Sequence, residues 1–101
     1  MVERVAAKGG FQLTGQLKQI WANRRLFMNW LKNTQSLSRK GNPLTHAEAR
    51  QITDNARKLG ITRFDFNPTG LQGLEKTGDW AGIPHFKIGH IHIPVQKGFK
   101  P

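Results

Sequence analysis

Between Asp79 and Val95 the chain reads DWAGIPHFKIGHIHIPV, which places His85, Lys87, His90 and His92 within eight residues, interleaved with Phe86, Ile88 and Ile91. Imidazole, with an ordinary pKa of about 6.5, gives and takes protons near neutrality, and an ammonium supplies fixed positive charge. Together these groups suit metal-free phosphodiester cleavage. That reaction needs a base for the attacking hydroxyl, an acid for the leaving oxygen, and a cation for the charge that builds on phosphorus. The attacking group would be the 2′-hydroxyl of RNA, which DNA lacks. No cofactor is expected for such a set. A zinc site is one alternative, with His90 and His92 as ligands two apart on a strand, His85 as a third, and His46 or Asp79 behind them. Lys87 in their midst would repel a divalent cation. The other alternative is a hydrated strand surface with no chemistry.

Geometry decides whether these side chains meet. In one unbroken strand His85 and Lys87 would face away from His90 and His92, since successive residues alternate sides. A bulge or a tight bend at Gly89 shifts the alternation by one, so that His85, Lys87, His90 and His92 share a face while Phe86, Ile88, Ile91, Ile93 and Val95 form the apolar one. This arrangement is the expected one, because glycine tolerates the backbone angles that a bulge needs. Phe86 is then core. Trp80, in a glycine-containing loop beside the histidines, is a candidate platform for an unstacked base. Thr69, Arg63 and Lys76 are further candidates for contact with substrate.

The whole chain must position these groups. Its 101 residues allow one domain with one core, since a chain of this size buries only roughly 65% of its unfolded surface. Residues 1–13 are expected to be a flexible N-terminal segment. Cysteine is absent, which excludes disulfides, thiolate zinc sites and a cysteine nucleophile. No apolar run approaches the ~20 residues of a membrane span, and the first ten residues lack the apolar centre of a signal peptide, so stable membrane insertion is not expected. Sixteen Lys and Arg against six Asp and Glu give a formal charge of +10, spread from Arg4 to Lys100. Such a field concentrates polyanions, nucleic acid foremost.

The apolar positions Leu17, Ile20, Trp21, Met28 and Leu31 predict one helix within Thr14 to Lys32, with Leu26, Phe27 and Trp30 widening its buried arc. Lys18, Arg24, Arg25 and Lys32 lie off that face, as solvated charges or phosphate contacts. NTQSLSRKGNP has turn formers and no period, and reads as an exposed loop. A second helix is predicted from His46 to Leu59: Thr45 and Glu48 make a capping box, Ala49, Ile52, Ala56 and Leu59 mark the buried face, and Gly60 ends it. Beyond Gly60, ITRFDF alternates as a half-buried strand, LEKTGDWAG reads as a strand or a loop, and PHFKI and HIHIPV read as strands. Helices followed by strands predict an α+β domain, with two N-terminal helices packed on an antiparallel sheet.

The stretch from Leu44 to Val95, above all GDWAGIPHFKI and HIHIPV, resembles the C-terminal toxin domains of bacterial polymorphic toxins of the contact-dependent inhibition and Rhs type. Many of those are ribonucleases of barnase, EndoU, colicin and RelE-like fold, with N-terminal helices before an antiparallel sheet whose concave face carries the site. The resemblance implies metal-independent cleavage of tRNA or another RNA in a target bacterium, after delivery from a producing cell. It implies a dedicated acidic immunity protein as partner, with a host protein activator as a further candidate.

Overall fold

The computed structural model describes residues 4–5, 10–34, 37 and 39–101. Its order is β1 (Arg4–Val5), β2 (Gly10–Phe11), α1 (Gly15–Trp21), α2 (Arg24–Asn33), α3 (His46–Lys58), β3 (Asp65–Asn67), a 3-10 helix (Gly73–Thr77), β4 (His85–Ile88) and β5 (Ile91–Pro94). This is a small α+β domain: three helices pack against a three-stranded antiparallel sheet of order β3-β4-β5, with β1 and β2 pairing separately.

The single helix expected from Thr14 to Lys32 is two. Asn23 adopts extended angles (φ −118°, ψ 124°) and its side chain accepts from the Leu26 backbone N–H, so it caps α2 and ends the run of α1. The break turns the aromatic residues inward from two directions. Trp21 lies edge-on to Phe27 at 5.2 Å and to Trp30 at 5.1 Å, with Phe27 stacked on Trp30 at 6.1 Å. Phe11 joins this cluster and is buried, and the Gln51 side chain both accepts from its N–H and donates to its carbonyl. The segment 1–13 is therefore anchored where it is described, from Gly10 onward; the rest of that expectation lies outside the described residues except for Arg4 and Val5, which pair with Phe11 and Gly10. Leu26, expected on the buried arc, stays 45% exposed.

Helix α3 follows its sequence signals. Both halves of the Thr45–Glu48 capping box are formed, Ala49, Ile52 and Ala56 are buried, and Gly60 has φ 82°. The loop before it is not wholly exposed: Leu37 is fully buried, while Gln35, Ser36 and Ser38 lie outside the described residues. ITRFDF contributes a shorter strand than expected, because pairing with β4 begins only at Asp65. The ambiguous LEKTGDWAG is a 3-10 helix followed by turns. The sheet's apolar face carries Phe86, Ile88 and Ile93, which share one core with Phe27, Leu31, Ile52 and the C-terminal Phe99. Among the described residues no helix is long and apolar enough to cross a membrane.

Candidate functional site

The histidine segment is a hairpin: of the bulge or tight bend expected at Gly89, the structure has the bend. β4 and β5 run antiparallel with Ile88 opposite Ile91, so Gly89 and His90 alone make the reversal. Gly89 has φ 62°, the left-handed angle that a tight turn with glycine at its first central position requires. A reversal and a one-residue bulge change the alternation of sides in the same way. Lys87 therefore faces His92, and His85 faces Pro94, all on the side opposite Phe86 and Ile93. β3 adds Asp65 beside Lys87 and Asn67 beside His85 on that face. His90, expected on the same face, is instead exposed in the turn.

The loop carrying Trp80 folds back over this face. Its indole stacks on His92, with centroids 5.0 Å apart and planes at 17°, and lies 5.1 Å from His85, which is 5.3 Å from His92. Trp80 is thus already packed against imidazoles, with the Lys40 ammonium 5.2 Å from its ring centre. Lys40 also donates to the Asp79 carbonyl, which ties the loop to the segment before α3. Gly70 holds the loop from the other side, its carbonyl accepting from the Gly82 N–H. A Cβ at Gly70 would stand 2.1 Å from the Ile83 nitrogen, so only glycine lets the two backbones approach this closely.

His85 has no exposed surface. Its Nδ1 lies 2.6 Å from the Ile83 carbonyl, and since a carbonyl only accepts, Nδ1 carries the proton and donates. His92 and Lys87 are half-buried. The sequence reading missed the burial of His85, for nothing in the strand pattern tells that the loop before β4 folds back and sets Trp80 over it.

The accessible chemistry lies at the hairpin tip. A cleft of about 580 Å³ opens between α2 and β5, bringing His90 and His92 together with Trp80, Met28 and Lys32. A second cleft of about 430 Å³ lies on the other side of the tip and carries Arg24, Arg63, Asp65 and Ile61. Arg63 is 90% exposed and pairs loosely with Asp65, at 3.6 Å. Thr69 and Lys76 are exposed and line neither cleft; the Thr69 hydroxyl accepts from the Leu71 N–H and so serves its own turn. His46 stands elsewhere, its Nε2 donating to the Lys97 carbonyl and its ring against Phe99.

Comparison with protein-family models, curated proteins and solved structures found no match. Among the described residues no three His, Asp or Glu groups converge as a metal site requires. The tip offers two imidazoles reachable from solvent, an ammonium from Lys32, and an aromatic edge. Lys32 was a solvated charge or phosphate contact in the sequence reading. Its spacing from Met28 and Arg24, four residues each along α2, was the signal that all three point the same way.

Proposed function

We propose that this domain is a metal-independent endoribonuclease, acting at the cleft between α2 and the β4–β5 hairpin. The observation that carries the proposal is the meeting of His90, His92 and Lys32 in one cleft of a chain with a net charge of +10. One imidazole takes the proton from the RNA 2′-hydroxyl as its oxygen attacks the adjacent phosphorus. The other gives a proton to the departing 5′-oxygen, leaving a 2′,3′-cyclic phosphate and a free 5′-hydroxyl. Lys32, and Lys87 across the ladder from His92, offset the negative charge that grows on the phosphoryl oxygens. His85, sealed beneath Trp80, is a positioning residue that supports the Trp80 and His92 rings.

The order of helices before an antiparallel sheet accords with the barnase, EndoU, colicin and RelE-like layout of polymorphic toxin domains. On that reading the substrate is tRNA or another RNA of a target bacterium, and the producer restrains the enzyme with an acidic immunity protein. A non-catalytic RNA-binding module is the second reading, favoured by one observation: Trp80 and the buried His85 give His92 a packing role of its own.

The test is incubation of purified domain with RNA in EDTA, followed by mapping of product ends. Cyclic phosphate termini that vanish in His92→Ala support the nuclease. Binding without cleavage leaves the RNA-binding module. Activity lost in EDTA and restored by zinc assigns the histidines to a metal.

A further inference from the structure

The two clefts adjoin at the hairpin tip, where Met28, Ile88, Gly89 and His90 line both, and are taken together as one groove. Along α2, Arg24, Met28 and Lys32 recur at intervals of four residues, which places the two cationic residues on one stripe with their backbones about 12 Å apart at the helical rise per residue. Lys32 belongs to the histidine side of the tip and Arg24 to the other, where Arg63 joins it. The groove is therefore apolar in its middle and cationic at both ends. Asp65 is its one carboxylate among the described lining residues, and its contact with Arg63 leaves that side chain largely exposed.

We infer that this groove is the track of a single RNA strand, in which Arg24 and Arg63 hold a phosphate other than the one cleaved. The inference rests on the ribonuclease reading for the identity of the strand and adds to it a second phosphate subsite and a preference for unpaired RNA. An unpaired strand can lay base surface on Met28 and against the edge of Trp80 while its phosphates meet the cations at either end. A duplex keeps its bases stacked inside and offers the groove phosphates only.

The probe is a 2′-O-methyl RNA of about ten nucleotides, a length in the range of known single-strand sites, which binds but lacks the hydroxyl needed for cleavage. Its affinity is measured by fluorescence anisotropy across a salt series, with the same sequence as a duplex in parallel. Arg24→Ala with Arg63→Ala should weaken single-strand binding about tenfold and flatten the salt dependence by about one to two units of slope. Lys97→Ala is the comparison, because Lys97 sits by His46 at the opposite end of α3 from Gly60, the residue next to the Arg24 guanidinium. It should change affinity less than about twofold. The duplex should bind more weakly than the single strand. Equal losses in the double variant and Lys97→Ala, equal binding of duplex and single strand, or no measurable binding by the parent would each overturn the groove. Cleavage is scored separately on unmodified RNA: a groove without cleavage sinks the nuclease alone, and cleavage indifferent to Arg24 and Arg63 sinks the groove alone.

Discussion

Three histidines in one hairpin have three different environments, and so three different expected phenotypes. His92 stacks on Trp80 yet borders the cleft, so His92→Ala should lower single-turnover cleavage by roughly 10² to 10⁴ while the fold persists. His90 stands exposed in the turn, and its alanine variant should lose activity without any change in thermal melting. His85 is fully buried and donates to the Ile83 carbonyl. His85→Ala leaves a void and a carbonyl without that donor, which should cost about 2 to 4 kcal/mol in urea denaturation. Should His85→Ala instead melt like the parent and lose cleavage as His92→Ala does, substrate reaches His85, and the Trp80 loop opens to admit it.

At the scale of elements, each piece of the site depends on a local device that can be removed singly. Asn23 separates α1 from α2 and so aims the stripe that carries Met28 and Lys32 at the hairpin; Asn23→Ala should cost about 1 kcal/mol. Gly89 holds the reversal at φ 62°, and a Cβ there meets no neighbouring atom, so the penalty of Gly89→Ala is conformational only. It should be about 1 to 2 kcal/mol, read from chemical denaturation. Gly70→Ala differs in kind, since its Cβ would collide with the Ile83 backbone as well as strain a φ of 70°. The loop must shift to accommodate it. The expected result is altered Trp80 fluorescence together with lost cleavage; unchanged emission would mean that the loop is not anchored through Gly70.

For the molecule as a whole, charge sets the partners more than it sets the fold. With a formal charge of +10, RNA binding should weaken steeply as salt rises. Three or four phosphate contacts predict a log–log slope of about −2 to −3 for a single strand. An acidic inhibitor would be captured quickly by the same field, and its association rate should fall with salt far more than its dissociation rate changes. Both measurements separate a specific cleft from a general field: the slope of the parent belongs to the field and the groove together, and the change on removing Arg24 and Arg63 belongs to the groove.

What the sequence determined by itself was whatever depends on neighbours along the chain. The capping box of α3 and its buried face were legible because a cap and a 3.6-residue period act over one or two turns. The grouping of His85, Lys87 and His92 on one face was also legible, but whether a bulge or a tight bend at Gly89 produced it was not. A bulge and a two-residue reversal change parity alike, so alternation alone could not separate them, and only the pairing of Ile88 with Ile91 decides for the hairpin. The break at Asn23 was hidden for a related reason. One long helix and two short ones fit the same apolar period, and the packing of Trp21 against Phe27 and Trp30 selects the pair. Exposure was the property that tertiary structure alone settled. His85 is sealed and His90 is open because a loop tied down by Gly70 and Lys40 brings Trp80 over one and not the other. Lys40 meets the loop from 39 residues away and Gly70 from twelve, and no local pattern of hydrophobicity encodes which side chain a returning loop will cover.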